Sequence, residues 1–211
     1  MKPWIRVIGD VHGLTRQYLS LIKKPQWSVQ LGDHGFKYDH LKNVDASRHR
    51  ILGGNHDNMV SLPQQPHYLG DFGTSILGGV DLFYIRGGRS IDKEMRILNV
   101  SWWQEEELNY MQGVECLKEY QKTKPRLVIS HECPASVLSV VANRSFGNIP
   151  PSYTSMLLHQ CLEIHRPAIW IFGHYHKSFR FTLESTLYVA LDELAFVDID
   201  KDGRIGNVQR K

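Results

Sequence analysis

Eight side chains able to hold a metal ion or move a proton stand in five short strings of this sequence. They are Asp10 and His12 in Gly9-Asp-Val-His-Gly13, Asp33 in Leu31-Gly-Asp-His34, Asn55 and His56 in Gly53-Gly-Asn-His-Asp57, His131 in Ile129-Ser-His-Glu132, and His174 and His176 in Phe172-Gly-His-Tyr-His176. Carboxylates and neutral imidazoles suit borderline divalent ions such as Zn, Mn, Fe or Ni. No cysteine stands in these strings, so an all-thiolate structural zinc site is not indicated. Eight groups exceed what one tetrahedral ion needs. They would serve two ions about 3.5–4 Å apart that share a carboxylate.

The chain must bring these distant strings together, and its hydrophobic pattern shows how. Trp4 to Ile8, Trp27 to Leu31, His49 to Leu52, Leu127 to Ser130 and Ile169 to Phe172 read as strands. Each of the five ends in a small residue followed by Asp, Asn or His. Open α/β sheets place ligand sites outside the carboxyl ends of their strands. Adjacent strands lie about 5 Å apart, so five such ends can converge on one edge. Val80 to Ile85 and Met95 to Val100 read as further strands around a glycine-rich turn, and Phe179 to Asp200 as two or three antiparallel strands. Helical spacing covers Leu14 to Lys23, Glu105 to Gln121, Pro134 to Ala142 and Tyr153 to Ile164, with a loop at Gly147 to Pro151. The acids opening Glu105 to Gln121 suit the positive end of a helix dipole.

Composition narrows the class. With 211 residues, 42% apolar and 22% charged, the chain can bury one sizeable core, and no linker divides it, so a single domain over 1–211 is expected. The 25 Lys and Arg against 22 Asp and Glu leave a formal charge of +3, too mild to imply nucleic acid by itself. No apolar run approaches 18 residues, and Met1 to Asp10 lacks the core of a signal peptide. The three widely spaced cysteines, Cys116, Cys133 and Cys161, fit free thiols in a reducing, cytoplasmic setting.

The five strings, in this order, resemble the signature of the calcineurin-like metallophosphoesterases. Gly87-Gly-Arg-Ser-Ile-Asp-Lys93, Ser101-Trp-Trp-Gln-Glu-Glu106 and Ser130-His-Glu-Cys-Pro134 narrow the resemblance to small bacterial and phage members. The resemblance covers about residues 5–192. It implies a four-layer α/β/β/α sandwich with two mixed sheets. It implies that Asp10, His12 and His176 hold one metal, that Asn55, His131 and His174 hold a second, and that Asp33 bridges both. His56 would lie beside the substrate phosphate as general acid or electrostatic stabiliser. A water bridging the ions would ionise near neutral pH and attack phosphorus in line.

The protein-phosphatase branch of that family carries Gly-Asp-x-x-Asp-Arg-Gly at the bridging aspartate. Here the string is Gly32-Asp-His-Gly-Phe-Lys-Tyr38, with Phe36 for the second acid and Lys37 for the arginine. The acid that orients the catalytic histidine in that branch is missing, and adjacent Asp57 is no automatic substitute. The expected activity is therefore a dinuclear metal-dependent phosphoesterase leaning to phosphodiesters, nucleotides or nucleic acid. A small-molecule or protein phosphomonoesterase is the alternative, and a non-catalytic metal-binding scaffold a more distant one. Lys37, or one of Arg86, Arg89 and Arg96 around the glycine-rich turn, is expected to meet the substrate phosphate. Asp92 is a supporting candidate. His34, His40, His49, His67, His159 and His165 read as packing or surface residues, Trp102 and Trp103 as core, and Cys133 as a buried thiol. Asp198-Ile-Asp-Lys-Asp-Gly203 resembles the start of a calcium loop, but its twelfth position is Gln209, so a hairpin turn is the better reading.

Overall fold

The computed structural model describes residues 4–143, 149–200 and 202–210. Among the described residues, ten strands form two mixed sheets. The first contains β1 (Trp4–Ile8), β2 (Trp27–Gln30), β3 (His49–Ile51) and β10 (Phe196–Asp200) in the order β10-β1-β2-β3. The second contains β4 (Phe72–Leu77), β5 (Val80–Ile85), β6 (Leu127–Ser130), β7 (Ile169–Phe172), β8 (Phe179–Leu183) and β9 (Thr186–Ala190) in the order β4-β5-β6-β7-β9-β8. β1, β2 and β3 run parallel, as do β5, β6, β7 and β9, while β10, β4 and β8 are antiparallel edges.

The period of two along each strand builds the layers. On β1, Ile5 and Val7 face the second sheet; on β7, Ile169 and Ile171 answer them, with Val29, Leu82, Ile129 and Val189 between. The alternate residues face outward. Ile8 packs against Tyr18 and Leu21 of α1 (Thr15–Leu21), with Leu41, Ile51 and Trp103. Trp170, Phe172, Val128 and Phe83 pack under α2 (Tyr110–Thr123), α3 (Leu138–Ala142) and α4 (Tyr153–Ile164). Helices thus cover both outer faces, and three apolar cores separate four layers. Each fully buried aliphatic or aromatic side chain contributes about 1.5–3 kcal/mol.

Three sequence expectations need correction. Met95 to Val100 is not a strand: a short 3-10 turn at Lys93–Met95 leads into turns, and Met95, Ile97 and Val100 are exposed. β4, which lacks a clear apolar pattern, pairs with β5 instead. The helix expected from Glu105 begins at Tyr110. Its start is a capping box in which the Asn109 side chain accepts from the Gln112 N–H and Gln112 reciprocates, while Glu105 and Glu106 lie in a preceding 3-10 turn. The segment from Pro134 opens as a 3-10 turn before α3. Of the loop expected at Gly147 to Pro151, Gly147 and Asn148 lie outside the described residues. The Asp202-Gly203 turn stands: the Gly203 N–H donates to the Asp200 carbonyl at 2.9 Å, and Ile205 returns to bridge Ile199.

Candidate metal centre

The carboxyl ends of β1, β2, β3, β6 and β7 meet at one edge of the sandwich. Asp10 and His12 follow β1, Asp33 follows β2, Asn55 and His56 follow β3, His131 follows β6, and His174 and His176 follow β7. Backbone bonds knit these loops: the N–H groups of Val11 and His12 donate to the Asp33 carbonyl at 3.0 and 2.8 Å, and the Gly87 N–H donates to the Gly53 carbonyl at 2.9 Å. Gln30, fully buried, spans the carbonyls of Gly9 and Gly32 with its amide. His12, Asp33, His174 and His176 all adopt positive φ, between 45° and 69°. Such backbone is uncommon for these residues and clusters at functional sites.

Two glycines make the convergence possible. A Cβ on Gly54 would lie 2.5 Å from the Asp33 nitrogen, and one on Gly173 would collide with Asp10 Oδ1. Gly54→Ala is therefore expected to destabilise the metal-stripped protein by about 1–3 kcal/mol, as overpacking does. A thermal melt reads this as a fall of roughly 2–12 °C. An unchanged midpoint would contradict the close approach.

The donors sort into two groups, each with its ligand atoms within 4.8 Å of one another: Asp10, His12 and His176, and Asp33, His131 and His174. In the first, His12 Nε2 and His176 Nε2 are 3.2 Å apart, and Asp10 Oδ2 is 3.7 and 3.6 Å from them. In the second, Asn55 Oδ1 is 2.9 Å from His131 Nε2 and 3.0 Å from His174 Nδ1. Asp33 stands between the groups. Its Oδ2 is 3.6 Å from His12 Nε2 and its Oδ1 is 3.3 Å from His131 Nε2.

The arrangement fits cations. His131 Nδ1 faces the Leu31 carbonyl at 2.9 Å, and a carbonyl only accepts, so Nδ1 carries the proton. Burial pushes the His131 imidazole down to about 4, so the ring is neutral near pH 7 and its Nε2 offers a lone pair. That lone pair faces two further acceptors, Asn55 Oδ1 and Asp33 Oδ1. With Asp33 ionised, three acceptors point at one another without a proton to share, and a divalent cation would supply the missing positive charge. The carboxylates need the same charge. Burial, with Asp10 and Asp57 nearby, pushes the Asp33 carboxyl well above the ordinary range. Burial would also raise Asp10, but the imidazoles of His12, His131 and His176 hold it below the ordinary value.

His56 lies at the edge of this centre, not in it. Its backbone N–H donates to Asp33 Oδ1 at 2.7 Å, and its ring meets that of His12 edge-on at 5.0 Å. Its Nε2 accepts from the Arg96 guanidinium, which also pairs with Asp92 at 2.8 Å. Burial, then Arg96 and His12, push His56 down to about 3, so the ring is neutral here and not the protonated donor that a general acid requires. Asp57 does not orient it. The buried Asp57 carboxylate accepts from the N–H groups of His34, Gly35 and Gly54 and from the Tyr38 hydroxyl, clamping two loops together.

A cleft of 380 Å³ opens over the centre, lined by Asp33, Asn55, His56, His174 and His176 on one side and by Arg89, Ile91, Asp92, Arg96 and Ile149 on the other. Of the four cations expected near substrate, Arg89 and Arg96 line it. Arg86 is buried in an ion pair with Asp71 at 2.5 Å and donates to the Glu105 carbonyl, so it anchors the turn and does not reach the cleft. Lys37 is exposed and lines a separate depression with Phe36, Asp39 and Lys42. His34 is buried against His40, with 2.7 Å between their Nε2 atoms; Trp103 is core; Cys133 is a buried thiol that burial pushes up, not a nucleophile. Ile91 and Ile149 were missed from sequence, where an isolated isoleucine in a loop carries no periodic signal.

The family model described as calcineurin-like phosphoesterase matches residues 3–178. No curated protein matches this chain. Among solved structures, the protein TT1561 of Thermus thermophilus aligns over 100% of this chain and 99% of its own, at 11% identity and a TM-score of 0.55. The phosphopantetheinyl hydrolase PptH of Mycobacterium tuberculosis aligns over 91% of this chain and 90% of its own, at 12% identity and a TM-score of 0.50. At such identities the likeness is one of fold.

Proposed function

Because the chain belongs to the calcineurin-like phosphoesterase family, we propose that it hydrolyses P–O bonds of phosphate esters with two divalent cations. Asp10, His12 and His176 hold one, Asn55, His131 and His174 the other, and Asp33 is shared. The observation that carries this is the placement of Asp33, whose two oxygens face different donor groups at 3.6 and 3.3 Å. When bound, the cations supply Lewis acidity to the phosphoryl oxygens and lower the pKa of water at the centre.

The protein's own groups do the rest. The substrate phosphate sits between the centre and Arg96, and the guanidinium neutralises charge on its equatorial oxygens. In the free protein Arg96 is engaged by His56 and Asp92. A phosphate competes for the guanidinium and releases His56 Nε2 toward the leaving oxygen. His56 then acts as an electrostatic stabiliser, and as an acid once the bound anion raises its proton affinity. Arg89 reaches a second anionic group, and Ile91 and Ile149 give the ester group an apolar wall.

The cleft volume exceeds what a lone phosphate fills, which supports an extended substrate such as a phosphodiester or nucleotide. The second reading, a phosphomonoesterase, is favoured by the Arg96 guanidinium beside His56, which suits a dianion. Hydrolysis of bis-p-nitrophenyl phosphate and p-nitrophenyl phosphate, metal-stripped and then with Mn, Ni, Zn or Mg, separates them. Metal-dependent release from the diester is expected. Faster release from the monoester selects the second reading. No release from either, with two cations bound, contradicts both.

A further inference from the structure

The Asn55 side chain can present either its oxygen or its NH2 group to the centre, and only the oxygen binds a cation. Two buried residues outside the five strings make the choice. Asn55 Nδ2 donates to Ser90 Oγ at 3.1 Å, and Ser90 Oγ donates to Glu106 Oε2 at 2.6 Å. Glu106 Oε1 accepts from the Ser90 N–H at 3.1 Å, so both carboxylate oxygens are committed to Ser90. All three side chains are nearly inaccessible: Asn55 is 3%, Ser90 2% and Glu106 4% exposed. A hydroxyl has one proton, and the carboxylate takes it. Ser90 Oγ is left as an acceptor toward Asn55, which must therefore offer its NH2 group there and its oxygen to His131 and His174.

We infer that Ser90 and Glu106 are positioning residues: the carboxylate of Glu106, relayed through the Ser90 hydroxyl, locks the Asn55 amide with Oδ1 toward the second cation and increases the negative charge on that oxygen. Chains of hydrogen bonds polarise one another in this sense. The inference rests on the two-cation reading above. It assigns a role to the segment from Gly87 to Glu106, where the Gly88 N–H donating to the Glu106 carbonyl at 3.2 Å holds the two ends of the relay in register. Neither residue touches substrate or cation; both act through Asn55.

The test is calorimetric titration of the metal-stripped, full-length protein with Mn²⁺, for the natural sequence, Ser90→Ala and Glu106→Gln. Folding of each variant is checked by circular dichroism, and the second variant keeps the test open if the first does not fold. The natural sequence is expected to bind two ions. In both variants the first ion binds as before and the second weakens on the order of 10–100-fold, as loss of an outer-shell partner does. A residue that merely stabilised the fold would weaken both ions alike or neither. Two unaltered affinities, or an equal loss at both, overturn the relay while leaving two-cation binding intact. Fewer than two ions on the natural sequence overturn the relay and the two-cation reading together.

Discussion

Asp33→Asn is expected to weaken both cations at once, roughly 100-fold or more, beyond what loss of an outer-shell partner costs. The reason is geometric. Asp33 is the described carboxylate that offers one oxygen to each donor group, Oδ2 toward His12 and Oδ1 toward His131. An asparagine keeps one oxygen, puts an N–H donor in place of the other, and removes a charge. Elemental analysis of protein recovered after metal loading should find less than one ion per chain. Asn55→Ala, by comparison, should empty the second position alone. Two-ion occupancy in Asp33→Asn would refute the shared role. The same variant should gain stability when stripped of metal. Burial and the neighbouring Asp10 and Asp57 disfavour the Asp33 anion, so the folded state resists an ionisation the unfolded chain undergoes freely. Ionisation of the unfolded chain begins as pH rises through the ordinary Asp value, so the gain is absent at pH 3 and grows above it. Each kcal/mol appears as about 2–4 °C in a melt of a chain this size. Opposite signs for metal binding and apo stability are what a functional buried carboxylate predicts.

The second large effect is on turnover. His56→Ala should leave two cations bound and lower kcat by about 10²–10⁴-fold, the range typical of a positioned proton donor or stabiliser. Occupancy survives because the His56 contact to Asp33 is made by the backbone N–H, which alanine retains. The lost ring is the one that meets His12 and Arg96 across the cleft mouth. An unchanged rate would remove His56 from the chemistry. A loss of bound metal along with the rate would show that it supports the centre instead.

The positions of the donors were legible because each follows a short strand that ends in a small residue and then Asp, Asn or His. A parallel strand packed on both faces shows in sequence as a short, nearly continuous apolar stretch, as in β6 and β7, whereas Arg6, Ser28, Gln30 and the His49-Arg50 pair interrupt β1, β2 and β3, whose ends show in the glycine and Asp or Asn that follow. The same rule failed at Met95 to Val100, where Met95 is 84% and Ile97 65% exposed: these side chains face solvent beside the cleft, and hydrophobicity alone does not distinguish a lip from a core. β4 is illegible for the converse reason, since Gly73, Thr74 and Ser75 dilute the apolar pattern of an edge strand whose ladder partner is β5. In sequence Arg86 is indistinguishable from Arg89 and Arg96; its pairing with Asp71 and the Glu105 carbonyl holds it away from the cleft that the other two line. Ser90 and Glu106 stand in strings that carry the family resemblance, but their pairing with Asn55 has no sequence signature, because bonds spanning 16 and 35 residues follow no period.

The measurement that bears most directly on the two-cation account is diester hydrolysis by metal-stripped protein titrated with Mn²⁺ in known equivalents. The account predicts that activity stays low through the first equivalent, rises with the second and levels off at two per chain. A plateau at one equivalent, or no hydrolysis of either the diester or the monoester with two ions bound, would contradict it.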